Sequence, residues 1–433
     1  MNAIIIGAGA SGLMAAKQLS GAGLKVHVLE ARDRIGGRIH TINEKGPRFS
    51  MEGGAEFIHG NLELTLRLLK EAGLEKQELE GDVWQVIKGQ WKQESDFFER
   101  AGLVIEKLKE VTQDIPIAQF IERYFPGAEH QGLREALTSY VEGYYSGEVS
   151  KTSSKSFLEE LLSEDHQQYR PVGGYGKLME YLSNSSKESG AIIQLSTVVT
   201  QIKWCKGRVE VIDESNRAYV ADKLVVTVPL GVWAAGSGVR GAIAYTPAVP
   251  AKIQAAQQMG FGAVIKVLLN FSDAFWENQL VEKACHVNTG NFHMAISDMP
   301  VPTWWSQLPQ HSTLLTGWLS GPNAAKMKDF DDETILAEAL HSLSHIFKIN
   351  FTDIKEKLQW YKVLNWTKDP YTRGSYSYST LRTKSARKVL IEPLEETLFF
   401  AGEALYDGPE MGTVEAALVS GMEVATKIVY GQR

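Results

Sequence analysis

The 433-residue sequence predicts a mixed α/β fold, and three observations carry that reading. A strand, a glycine-rich turn, a helix and a second strand follow one another within the first 30 residues. Short β-type runs cluster at 191–199, 208–212 and 224–228, spaced as in a small meander that returns to a sheet. Apolar residues recur at three-and-four spacing at 62–72, 157–162, 177–182 and 333–347, which is the period of an amphipathic helix.

Taken in order, the apolar strand Asn2–Ile6 leads into the turn 7–12, the helix 13–19, a break at 21–23 and the strand Lys25–Leu29. Gly7, Gly9 and Gly12 form Gly-x-Gly-x-x-Gly in the setting that motif requires, after a strand and before a helix. The first glycine allows the tight turn, the second lets backbone approach a diphosphate, and the third lets helix and strand pack closely, with the anion at the helix N-terminus. Eighteen positions after Gly12, Glu30 closes the second strand, where a carboxylate can bind both ribose hydroxyls and disfavours a 2′-phosphate. The unit therefore reads as dinucleotide-binding, with FAD and NAD both open. Next come Ala31, Arg32, Asp33, Arg34, Ile35, Gly36, Gly37 and Arg38, a glycine pair between arginines. This stretch suits a second phosphate or a flavin edge, and equally a solvated basic loop.

Composition narrows the class of function. With 44% hydrophobic residues the chain can bury two or three compact units, and the formal charge of −7 argues against nucleic acid as a partner. Two cysteines, Cys205 and Cys285, are too few to staple a secreted domain, so a cytoplasmic location is expected. No leader and no membrane anchor are expected: no apolar run reaches about 20 residues, and Gly431, Gln432 and Arg433 form no hydrophobic tail. His341 and His345 lie one helical turn apart but have no third ligand nearby, so no metal site is expected. No composition break marks a domain border.

Several later blocks complete a pattern. They are residues 52–60 with Gly53, Gly54, Ala55, Glu56 and His59; residues 226–232; Gly260 to Gly262 and Lys266; Trp366; Arg373 to Tyr378; Ala401, Gly402 and Glu403; and Gly412, Thr413, Val414 and Glu415. In this order, behind the glycine turn and Arg34-x-Gly36-Gly37-Arg38, the chain resembles the flavin-containing amine oxidase family, which includes monoamine oxidases, polyamine oxidases and lysine-specific histone demethylases. The resemblance spans essentially the whole chain.

It implies a Rossmann-like FAD-binding domain of the GR2 type, made of 1–77, 169–247 and 373–433, interleaved with a sheet-plus-helices substrate domain made of 78–168 and 248–372. It implies that Gly7, Gly9, Ala10, Ser11, Gly12, Glu30, Ala31, Arg32, Gly37, Arg38, Gly53, Gly54, Ala55, Glu56, Val198, Trp366, Gly402, Glu403, Gly412, Thr413 and Val414 bind FAD. Ser375 stands where monoamine oxidases carry the cysteine that attaches the flavin, so the FAD is expected to be non-covalent.

The implied activity is oxidation of a small-molecule amine, with dioxygen reoxidising the flavin to give hydrogen peroxide. Lys266 lies in an otherwise apolar strand-like run, where a charge is costly without a task; the alternative is an edge-strand lysine reaching solvent. By resemblance it assists reoxidation or deprotonates the amine, and burial, which generally lowers a lysine's pKa, suits either role. Tyr376 matches one wall of the family's aromatic cage, but Pro409 and Glu410 replace the second cage tyrosine. Glu410 then anchors a second ammonium or is solvated near a helix N-terminus. His59 matches an active-site histidine of animal polyamine oxidases, which favours polyamine-like substrates. The competing readings are a desaturase or dehydrogenase with another electron acceptor, and a flavin-binding subunit without turnover. Oligomeric state is not legible.

Overall fold

A computed structural model of the chain describes residues 1–43, 50–93, 96–163, 167–236 and 238–431. Gln432 and Arg433, used above in reading the C-terminus, lie outside these residues. The expected opening unit is present: strand Asn2–Ile6 pairs in parallel with Lys25–Leu29 across helix Ala10–Gly21. Three more parallel strands extend this pair from far along the chain. The five-stranded sheet runs Ile192–Gln194, Lys25–Leu29, Asn2–Ile6, Lys223–Val226 and Leu398–Phe400. Both faces are covered, which is why residues 3–6 and 224–226 run apolar without alternation. On one face, helix Ala10–Gly21 packs against helix Val414–Tyr430. Their approach depends on Gly421, where a Cβ would lie 2.2 Å from the Ser11 carbonyl oxygen.

The run 191–199, read as one strand, is two. Ile192–Gln194 joins the parallel sheet, Ser196 takes a positive φ of 50°, and Val199–Cys205 starts a separate four-stranded sheet. Apolar content alone cannot show such a break, because each half contributes apolar side chains, Ile193 to one core cluster and Val199 with Ile202 to another.

The second large layer is a seven-stranded sheet in the order Leu358–Asn365, Val264–Phe271, Leu314–Ser320, Thr303–Trp305, Phe292–Ser297, Asp82–Ile87 and Gln90–Gln93. Val264–Phe271 is an interior strand with every residue buried, so the edge-strand alternative for Lys266 does not hold. Successive side chains leave a strand on opposite faces. Ile265, Val267, Leu269 and Phe271 enter one core with helix Asp332–Phe347, while Leu268 packs toward Ile42 and Met51 on the other face. Lys266 shares the Leu268 face. A helical group with Val104, Phe120, Leu137, Val141 and Phe157 at its centre adjoins this sheet, tied to it by the Trp318 indole donating to the Gly143 carbonyl at 3.1 Å.

Candidate active site

One cavity of about 870 Å³ lies between the parallel sheet and the Lys266 face of the seven-stranded sheet. Of the residues expected to bind cofactor or substrate, all but Gly12 and Gly53 line it. Those two are held in close packing beside it. A Cβ on Gly12 would sit 1.9 Å from the Gly7 carbonyl oxygen, so this glycine serves close packing. Gly53 is wedged between Ile42 and Leu364, and its carbonyl accepts from the Trp366 indole at 2.9 Å.

At the nucleotide end, Gly7 holds φ +104° and Gly9 precedes helix Ala10–Gly21, whose first turn has no acidic residue and no side-chain cap. Its amides are thus open to an anion. The Ser11 hydroxyl, buried beside them, has no hydrogen-bond partner. Such an orphan at a helix N-terminus fits a phosphate oxygen. Glu30 accepts the Ala8 amide at 2.7 Å and the Arg32 amide at 2.9 Å, which fixes its carboxylate at the cavity wall. Ala31, Val198 and Gly402 line the cavity too, as do Gly412, Thr413 and Val414 at the start of helix Val414–Tyr430, with Gly412 beside Tyr376.

The arginines divide their tasks. Arg32 binds Asp369 at 2.6 Å and Thr372 at 2.7 Å. Arg34 turns onto the carbonyls of Ile35, Gly37 and Ile39 and so braces the glycine pair. Arg38 bridges the Ser375 carbonyl at 2.6 Å and Glu403 at 2.8 Å. Glu403 also accepts from the Ser377 hydroxyl.

At the other end Lys266 is 1% exposed. Sequence reading left it without a partner; the structure gives it Glu56, whose Oε2 lies 2.6 Å from Nζ, and the Gly54 carbonyl at 3.1 Å. The other Glu56 oxygen accepts Arg170 Nε at 2.9 Å and Trp305 Nε1 at 3.0 Å. Burial acts to raise the Glu56 carboxyl, but the charges of Lys266 and Arg170, with hydrogen bonds from Lys266 and Trp305, hold it below the usual carboxylate range. Glu56, expected to touch cofactor, lines the cavity and is held there by Lys266, Arg170 and Trp305.

Register sets the wall above. Lys266 stands opposite Trp318, which stands opposite Thr303, and in the next row Trp305 faces Thr316. Trp318 stacks with Tyr376 at 15° and 6.4 Å between centroids. Burial raises the Tyr376 phenol to about 12, and its hydroxyl donates to the Tyr144 carbonyl. His59 Nδ1 lies 3.3 Å from the Tyr144 hydroxyl, and burial lowers its imidazole to about 4, so it is neutral above about pH 5. Glu410 accepts the Tyr406 hydroxyl at 2.7 Å and lines the cavity half-buried, not free in solvent. Trp305, Trp318, Tyr144 and Arg170 were missed in the sequence, because nothing in linear spacing says which strand face meets a cavity.

The chain matches the family model for flavin containing amine oxidoreductases over residues 10–85 and 87–429. It belongs to that family. Among curated proteins it is 29% identical to human lysine-specific histone demethylase 2, over 98% of this chain and 53% of that protein, and 29% identical to polyamine oxidase 3 of Oryza sativa, over 99% and 90%. The chain thus spans about half the length of the histone demethylases it matches. Among solved structures, putrescine oxidase bound to putrescine superposes with a TM-score of 0.79 at 20% identity, covering 99% of each chain. Cyclohexylamine oxidase from Brevibacterium oxydans gives 0.79 at 19%, covering 99% of this chain and 98% of its own. The glycine cradle, the orphan Ser11 hydroxyl and the shape of the cavity fit the family's flavin. Among the described residues no helix is long and apolar enough to cross a membrane.

Proposed function

We propose that this chain is an FAD-dependent amine oxidase that takes a primary or secondary amine, with polyamine-like substrates preferred, and passes the electrons to dioxygen. One observation carries the reading: a single cavity runs from an anion-ready glycine turn to a buried, ion-paired lysine under an aromatic wall. We assign the discontinuous segments 1–77, 169–247 and 373–433 to cofactor binding, and 78–168 with 248–372 to substrate binding.

Gly7, Gly9, Ala10 and Ser11 would hold the diphosphate and Glu30 a ribose, while Arg38, Gly402 and the Gly412 to Val414 turn would lie along the remainder. When bound, FAD accepts the hydride equivalent from the carbon beside the amine nitrogen, and water hydrolyses the resulting imine. The chain's own residues position the amine and keep it dry. Tyr376 and Trp318 offer aromatic faces that favour an amine nitrogen in either charge state, and the apolar wall favours the uncharged form that reacts. His59, neutral, exchanges a hydrogen bond with the substrate rather than a charge. The N-terminus of helix Val414–Tyr430, which lines the cavity, would offer positive potential to negative charge on the reduced cofactor.

The preference for polyamines rests on charge. Seven glutamates line the cavity, Glu30, Glu56, Glu78, Glu80, Glu160, Glu403 and Glu410, against three cationic side chains, Arg32, Arg38 and Lys266. That imbalance would attract a second ammonium, and Glu410, in the lining, is our candidate to receive it. The test is anaerobic mixing with monoamines, diamines, polyamines and amino acids while following flavin absorbance. Bleaching by polyamines and peroxide on admitting air are expected; no bleaching by any amine would sink the reading.

A further inference from the structure

We infer that Glu56 is a positioning residue for the oxygen step: its carboxylate keeps the Lys266 ammonium charged and aimed into the cavity. The inference rests on the oxidase reading above. Glu56 comes from the loop between Met51–Glu52 and Ile58–His59, whereas Lys266 and Trp305 stand on the seven-stranded sheet and Arg170 on Gln168–Pro171. Three separate parts of the fold therefore converge on one carboxylate. Of the three N–H groups of the ammonium, one goes to Glu56 and one to the Gly54 carbonyl, which leaves one for the cavity that Lys266 lines. Two cations share one carboxylate, so the cluster keeps one net positive charge in a place where little water screens it.

That charge has a use. Dioxygen takes two electrons and one proton from the reduced cofactor and a second proton from water, and leaves as hydrogen peroxide. Negative charge reaches oxygen before the protons do, and a fixed cation nearby favours that transfer. Without Glu56, Lys266 and Arg170 would be like charges buried together. A guanidinium does not give up its proton, whereas an ammonium can, so the positive charge would leave Nζ and remain on Arg170. Two other titratable groups face this cluster. Glu52, raised by burial to about 7, lies within electrostatic reach of Lys266, and His293, lowered by burial to about 4, stays neutral at working pH.

The experiment reduces the holoenzyme chemically with dithionite, so it needs no amine, and follows reoxidation by dioxygen in stopped flow. Glu56→Gln is expected to reoxidise about tenfold more slowly near pH 8 and to regain rate toward pH 6, while Glu56→Asp and Glu52→Gln stay within about threefold of the native rate. In a Lys266→Met background, Glu56→Gln should add nothing; this double variant carries no buried lysine charge and tests the coupling even if the single variant folds poorly. FAD affinity of the apoprotein, read by flavin fluorescence, should change less than about threefold, because the carboxylate acts on the lysine and not on the cofactor. An unchanged Glu56→Gln rate across this pH range overturns the inference, as does further slowing in the double variant or a loss of flavin affinity that accounts for the slow phase. Since reduction is chemical, failure of every amine to bleach the flavin bears on the proposed function alone.

Discussion

Replacing Glu415 by glutamine should destabilise the chain far more than its conservative appearance suggests. Glu415 lies in the first turn of helix Val414–Tyr430, is 6% exposed, and directs its carboxylate to the start of helix Glu63–Glu71. One oxygen accepts the Leu64 amide at 2.8 Å; the other accepts the Thr65 amide at 2.7 Å and the Thr65 hydroxyl at 2.6 Å. These are acceptors that helix Glu63–Glu71 otherwise lacks, since its preceding residue, Leu62, provides no side-chain cap. A glutamine keeps the volume but must point its NH₂ at one of the two donor sets. A hydrogen bond to a charged acceptor contributes about 1.5–3 kcal/mol, and a buried amide left facing another donor adds a desolvation cost, so the loss comes to about 3–5 kcal/mol. Against a typical total of about 5–15 kcal/mol that is a large fraction. Urea unfolding followed by far-UV circular dichroism measures it, with flavin release followed in parallel because Gly412 to Val414 adjoin the same turn. A Glu415→Gln protein within about 0.5 kcal/mol of native would refute the reasoning.

Three further outcomes are expected. Gly12→Ala should purify without flavin, because its Cβ would meet the Gly7 carbonyl oxygen at 1.9 Å; a yellow protein with native flavin content contradicts this. Lys266→Met should slow dioxygen reoxidation by about tenfold or more while anaerobic bleaching by the amine proceeds, and equal slowing of both steps would count against the assignment. His293, 6% exposed and lowered to about 4 against an ordinary value of 6.5, binds fewer protons folded than unfolded between those values. It therefore adds up to about 3 kcal/mol above pH 6.5 that is lost as pH falls toward 4. His293→Gln should show a shallower acid limb in unfolding free energy, and an identical slope would exclude the effect.

The parallel unit around Gly7 and Glu30 was legible because its chemistry is local: glycine spacing, strand period and one acid at a strand end lie within 30 residues. The parallel pairing of Asn2–Ile6 with Lys223–Val226 was not, since a strand's neighbour is set by tertiary packing that no window of sequence contains. Lys266 stood out as a charge in an apolar strand, but its partner lies 210 residues away, and Glu56 had read as one more residue of the flavin loop. The aromatic wall was hidden for a related reason. Trp305 and Trp318 look like ordinary strand residues until register puts them on the same face as Lys266.

The order of strands in the parallel sheet also constrains how the protein matures. Its first strand opens at Asn2 and its last closes at Phe400, and the turn that completes the flavin cavity, Gly412 to Val414, comes later still. During synthesis the glycine turn emerges from the ribosome long before the wall opposite it exists. Cofactor loading must therefore wait until the segment through Val414 is out, and until then the apolar faces of Asn2–Ile6 and Lys25–Leu29 lack their final cover. In a cell short of flavin, the species at risk would be one that already carries both walls of the cavity rather than an early nascent one.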